Sequence, residues 1–204
     1  MTDGFLNKAY KARDAESTRT LYDDWAASYE AEIDKNGYAT PGRCADALRT
    51  VIDDASLPVL DFGCGTGLSG LALRLAGFKF IDGVDLSSGM LAQARDKEIY
   101  RELYQIEAGE PLAHAPGSYA AIAAIGVIGA GAAPIATFDI LMNGLAPGGM
   151  LVFSFNDHAL EDPAHEAKLQ DYLDHQKAVL RFKEYGDHLP GIGLNANVYV
   201  IEKL

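Results

Sequence analysis

The chain has 204 residues, enough for one domain with a substantial core; 49% are hydrophobic and 23% charged, and no run approaches the ~18 apolar residues of a membrane helix. The opening "MTDGFLNKAY" carries no apolar signal core, so the expectation is a cytoplasmic protein that does not touch a membrane. The net charge is −12, and the 17 Lys and Arg are interleaved with acids, as in "YKARDAESTR", rather than clustered to neutralise phosphates, so no nucleic-acid partner is expected.

Residues 13–31 have helical spacing, with Leu21, Trp25 and Ser28–Tyr29 on one side, and residues 41–55 form a second helix that Thr40 caps ahead of Pro41. From Leu57 strand and helix alternate. "PVLDF" ends at glycines, "LSGLALRLAG" is a helix stopped by Gly77, and "FKFIDGVDL" is the second strand. "SSGMLAQARDK" is a capped helix, "LYQIEA" the third strand, and "YAAIAAIGVI" a fourth that runs into a turn of small residues. "APIATFDILMNGL" is a helix closed by "APGG", and "MLVFSF" is the fifth strand. Strands apolar on both faces, separated by helices of ~10 residues, mean a parallel sheet covered on both sides. "PAHEAKLQDYLDHQKAVL" reads as a helix, and "RFKEYGDHL" and "NVYVIEK", joined around "PGIG", must pair antiparallel. The fold class is therefore α/β: one domain with a doubly wound sheet of seven strands, mostly parallel, ending in an antiparallel hairpin. The two cysteines, Cys44 and Cys64, make no disulfide framework, and no Cys/His cluster has zinc spacing, so no metal is expected.

"VLDFGCGTGLSG", residues 59–70, contains two overlapping patterns. From Gly65 it is G-x-G-x-x-G (Gly65, Gly67, Gly70), a dinucleotide fingerprint. From Asp61 it is D-x-G-x-G-x-G (Asp61, Gly63, Gly65, Gly67). In an open α/β sheet the ligand lies beyond the carboxyl ends of the strands, and glycines let the backbone come close to it. Asp85 ends the second strand 20 residues beyond Gly65, where a carboxylate can accept from a ribose diol, and this suits both patterns. Asp61 separates them. A carboxylate there repels a diphosphate but favours the ammonium and sulfonium of S-adenosylmethionine. Its other role would be to cap loop amides. Gly70 then reads as a helix residue that permits close packing.

"VLDFGCGTG", "GVDLSSGMLAQAR" and "LAPGGMLVFSF", in that order, resemble the successive motifs of the class I S-adenosylmethionine-dependent methyltransferases, from about Leu57 to Asn156. The resemblance implies a Rossmann-like core over residues 57–156, an N-terminal helical lid over 1–56, and a helix plus terminal hairpin over 157–204. It implies S-adenosyl-L-methionine as cofactor, with Gly63 and Gly65 around its methionine part, Asp61 near its ammonium and Asp85 on its ribose. Leu86 and Met90 would cover the adenine face, with Glu107 and Ala108 at the adenine edge and Gly126 on the sulfur side. The family's usual Asp after the third strand is missing from "IEAGEPL". "LYDDWAASYE" is similar to the N-terminal segment of many small-molecule methyltransferases, including the Williams–Beuren-region methyltransferase-like branch; there tyrosines fold over the cofactor. Tyr22 and Tyr29, seven apart, share a helical face and could do this, or could pack on the core.

The implied reaction is in-line methyl transfer, which requires alignment and water exclusion, and a base only if the acceptor arrives protonated. His158, His114 and Asp157 are the candidate bases, and none stands out. The N-P-P-Y-type motif of exocyclic-amine methyltransferases is absent after the fourth strand, where the chain reads "GVIGAGAAP". A small-molecule acceptor is expected, selected by residues 1–40 and by 156–181 through Trp25, Tyr29, Tyr38, Tyr172, His158, His165 and His175, in a monomer or homodimer. The alternatives are an NAD(P)-dependent oxidoreductase and a catalytically silent cofactor- or partner-binding domain.

Overall fold

The computed structural model describes residues 15–129 and 132–204; the first 14 residues of the expected lid, and Ala130 and Gly131 of the small-residue turn, lie outside them. Seven strands form one sheet: β1 (Val59–Phe62), β2 (Ile81–Asp85), β3 (Leu103–Gln105), β4 (Ala121–Ala124), β5 (Met150–Asn156), β6 (Ala178–Leu189) and β7 (Leu194–Lys203). Their order is β3-β2-β1-β4-β5-β7-β6. β1 to β5 are parallel, with Asp61 beside Gly83 on one side and Ala123 on the other, while β7 runs antiparallel to both β5 and β6. The chain winds outward from β1 through β2 to β3, then returns to place β4 on the other side of β1. That reversal opens a crevice above β1 and β4, where such sheets bind ligands.

Both faces are covered, as strands buried at every position require. On one face α5 (Thr137–Gly144), α6 (Asp157–Leu160) and α7 (Pro163–Asp174) pack Phe138, Leu141, Ala159 and Leu169 against Leu60, Ile122, Phe153 and Tyr199. On the other, α2 (Thr40–Arg49) and α3 (Leu68–Leu75) pack Cys44, Leu48 and Leu73 against Val59, Ile81, Ala121 and Val198. α4 (Ser88–Asp96) follows β2, and Ser87 caps it by accepting from the Met90 amide at 3.0 Å. α1 (Ala15–Lys35) lies over the carboxyl edge, where Trp25, 1% exposed, joins Ile33, Leu189 and Leu194 in a third apolar cluster. Both cysteines are buried free thiols.

Most boundaries differ from the sequence expectation by a few residues, and three of the differences have a local cause or consequence. Ala178–Leu180 belong to β6 rather than to the preceding helix; Gln176 has φ +52°, which ends the helical run, and β-branched Val179 pairs with Glu202. The second helix stops at Arg49 instead of continuing to residue 55. Thr40 is not the cap of α2 but its first helical residue, after Ala39, and its hydroxyl is used elsewhere, 2.7 Å from His188 Nδ1.

Candidate functional site

The loop after β1 turns through three left-handed glycines, Gly63 (φ +70°), Gly65 (φ +54°) and Gly67 (φ +96°). At Gly63 a Cβ would lie 2.5 Å from the Val127 side chain, so a side chain there would push against the loop after β4. At Gly65 a Cβ would meet nothing within 4 Å, because the backbone borders open space. Asp85 holds this loop. Its Oδ2 accepts from the Gly65 amide and its Oδ1 from the Ser87 amide, each at 2.9 Å. Burial pushes the Asp85 carboxyl up from its ordinary pKa, and these amides pull it back.

That space is a cavity of about 730 Å³ along the carboxyl edge, within the range of ligand sites. Ten of the eleven residues expected at the cofactor line it: Tyr22, Tyr29, Gly63, Gly65, Asp85, Leu86, Met90, Glu107, Ala108 and Gly126. Phe62, Ile106, Val127 and Ile135 add an apolar wall that the motifs do not mark. Glu107 is ion-paired with Arg19 of α1, so this cavity-lining acid also ties down the helix above it.

Asp61 is the exception. It is fully buried beneath the loop and does not line the cavity. Its Oδ2 accepts from Ser69 Oγ at 2.6 Å and from the Tyr100 hydroxyl at 2.7 Å, while Oδ1 is buried with no hydrogen-bond partner among the described residues. Desolvation pushes its pKa up to about 6, against the opposing pull of the two hydroxyls. Tyr100, unmarked by the sequence motifs, explains Gly70: a Cβ there would sit 2.2 Å from the tyrosine hydroxyl. The close packing expected at Gly70 is thus against a side chain that reaches Asp61.

α1 is fastened to the core at its exposed face. Asp23 accepts from Ser87 Oγ and, at 3.0 Å, from the Gly89 amide at the start of α4, and Lys97 pairs with Glu30. Between these anchors Tyr22 and Tyr29 flank Trp25, with ring centroids 5.7 and 4.7 Å from it. The two tyrosines therefore line the cavity and also pack on the tryptophan cluster.

The candidate bases separate. His158 lines the cavity. His114 does not, since its ring lies 5.8 Å from Tyr104 and 5.2 Å from Tyr119. Asp157 accepts from the Tyr185 hydroxyl (2.7 Å) and the Asn195 amide (2.9 Å), which gives it a structural role at the hairpin. Of the residues expected to select the acceptor, His165 lines the same cavity, whereas Tyr172 bonds Asp139 and His175 lies exposed beside Asp171.

A glycine-cradled crevice at the switch point, with an acidic residue ending β2 and a helix laid across the top, defines a nucleoside-cofactor enzyme of the doubly wound class. Residues 37–189 match the family model described as "Methyltransferase domain", and the chain belongs to that family. Its architecture and family are those of the class I S-adenosylmethionine-dependent methyltransferases, whose cofactor is S-adenosylmethionine. The human Methyltransferase-like protein 27 is 34% identical over 134 residues, covering 64% of this chain and 54% of that protein. The Bos taurus 18S rRNA (guanine-N(7))-methyltransferase is 36% identical over 87 residues, covering 43% of this chain and 30% of that protein. The chain thus spans about half the length of the first relative and under a third of the second. Among solved structures, magnesium protoporphyrin IX methyltransferase from Synechocystis PCC 6803, crystallised with bound SAM, superposes with TM-score 0.58 at 16% identity, covering 98% of this chain and 90% of that one. With an rRNA methyltransferase among the relatives, the acidic composition alone no longer removes nucleic acid from the acceptors to be tested. No helix among the described residues is long and apolar enough to cross a membrane.

Proposed function

We propose that the chain transfers a methyl group from S-adenosylmethionine to a small-molecule acceptor. The observation that carries this reading is the cavity of about 730 Å³ lined by Tyr22 and Tyr29 of α1 together with Asp85, Gly63, Gly65 and Gly126. Within it Gly63 and Gly65 let the loop backbone approach the methionine part, and Asp85 addresses the ribose hydroxyls with the oxygen lone pairs its two amides leave open. Leu86 and Met90 cover the adenine face, with Glu107 and Ala108 at its edge, while Tyr22 and Tyr29 close from above. Asp61 acts through the loop rather than by lining the cavity. Its buried charge, with one unpartnered oxygen, favours a cation over Gly63 and would oppose a diphosphate there. When bound, the cofactor supplies an electrophilic methyl that carries its own leaving group; the protein's task is alignment and water exclusion.

Titration calorimetry tests the reading directly. S-adenosylmethionine should bind with one-to-one stoichiometry, and NADH should not. Binding of NADH alone would replace methyl transfer with hydride transfer. A labelled-cofactor screen should then find turnover on small organic acceptors and none on ribosomal RNA, and labelling of RNA alone would reverse the choice of acceptor. Cofactor binding without turnover on any acceptor would mark a silent binding domain.

A further inference from the structure

A second, smaller pocket of about 60 Å³ opens beside Gly126. It shares Tyr22, Tyr29, Gly126, Gly129 and Ala132 with the large cavity, so the two meet where the cofactor's sulfur side is proposed to lie. It sits over the other half of the sheet: its polar walls come from Ser154 and Asn156 on β5 and from His188 at the end of β6, with Tyr38 and Trp25 across from them. Among the described residues that line it there is no Asp, Glu, Lys or Arg.

We propose that this pocket receives the reacting end of the methyl acceptor, that this end is a slender uncharged arm bearing a hydroxyl, and that His188 is the residue that binds it. The inference rests on the methyltransferase reading and adds the acceptor class to it. Volume sets the first limit: against a cavity of roughly 150 Å³ that takes benzene, this pocket of about 60 Å³ favours a group of a few heavy atoms over a phenol ring or a nucleobase. Charge sets the second limit, because an ionised group placed among neutral walls loses its hydration and gains no counter-charge. His188 sets the third. Its Nδ1 is 2.7 Å from the buried Thr40 hydroxyl, and its backbone carbonyl accepts from the Ala39 amide at 3.0 Å, so the ring is fixed and Nε2 is the nitrogen left to address a ligand. A threonine hydroxyl can donate or accept, so either ring tautomer is supported, and a group that both donates and accepts fits either. Burial pushes the imidazole pKa down to about 4, so the ring stays neutral at physiological pH, consistent with a neutral partner.

The test uses the whole chain saturated with S-adenosylhomocysteine and follows two NMR signals, the His188 ring and the indole N–H of Trp25, the chain's single tryptophan. The probes are 1-propanol, propionate and phenol. Saturable shifts of both signals with 1-propanol, at least tenfold weaker with propionate and phenol, are expected. His188→Gln should weaken the 1-propanol effect on Trp25 at least fivefold while S-adenosylhomocysteine affinity stays within twofold. If phenol or propionate binds as well as 1-propanol, or if no probe moves either signal in the loaded protein, the inference is overturned and the methyltransferase reading stands. If S-adenosylhomocysteine itself does not bind, the reading beneath it fails instead.

Discussion

The two halves of the sheet's carboxyl edge are built by opposite means. Over β1, β2 and β3 the site is made by backbone: three left-handed glycines, an amide pair on Asp85, and a buried carboxylate beneath the loop. Over β4, β5 and β6 it is made by side chains from distant stretches, Tyr22, Tyr38, Ser154 and His188 among them, around a loop of Gly and Ala. Backbone recognition suits a ligand common to a whole family, because it ties binding to chain geometry. Side-chain recognition can change without disturbing the loop, and under the proposal above it is where a particular acceptor would be selected.

The contrast can be broken most severely on the backbone side. Asp85→Ala and Gly65→Val should each reduce S-adenosylmethionine affinity by at least about 100-fold, roughly 2.7 kcal/mol, in calorimetry on protein that still melts cooperatively. Asp85→Ala frees the Gly65 amide, and valine is strained at φ +54°. Unchanged affinity in both variants would remove the loop from the cofactor site.

The carboxylate under the loop sets the next largest effect. With its folded pKa raised from 3.8 to about 6, Asp61 binds its proton more tightly folded than unfolded. Its contribution to stability therefore falls as pH rises from about 4 to about 6 and is level above that, a change of about 3 kcal/mol. In urea melts across this window, Asp61→Asn should lose that downward component relative to wild type; parallel profiles would show that the carboxyl is not perturbed. Gly70→Ala should cost about 1–3 kcal/mol in the same melts, since the added methyl displaces the Tyr100 hydroxyl from Asp61. Asp23→Ala should cost about 1 kcal/mol by removing the acceptor of the Gly89 amide in the first turn of α4. Smallest in energy but simplest to measure, Trp25 emission should change on adding cofactor, because the helix bearing it roofs the cavity; a silent titration with confirmed binding would deny α1 a closing role.

The same contrast governs what could be read in the sequence. The alternation of strands and helices, the hairpin and most of the residues that line the large cavity were legible because each is carried by short contiguous signals: apolar runs, caps, and glycines at fixed offsets from Asp61 and Asp85. Tyr100 was not legible, because its partner lies 39 residues away and Gly70 betrays only that something packs closely. A carboxylate before glycines has two possible directions, and Ser69 and Tyr100 draw Asp61 inward, away from the cavity. His188 left no mark. A histidine in "GDHLP" looks like any other until Thr40, expected as a helix cap, is found bonded to its ring across 148 residues.

The contact of Asp23 with the start of α4 has one more consequence. A continuous set of contacts runs from the Gly65 amide to Asp85, through the Ser87 amide and hydroxyl, to Asp23 in α1. Any ligand that draws on Asp85 therefore also bears on whether α1 stays docked, and by reciprocity the factor by which a ligand favours docking is the factor by which docking favours the ligand. Protease sensitivity within 15–35 should then report cofactor occupancy, with cleavage there slowed when the cofactor is bound.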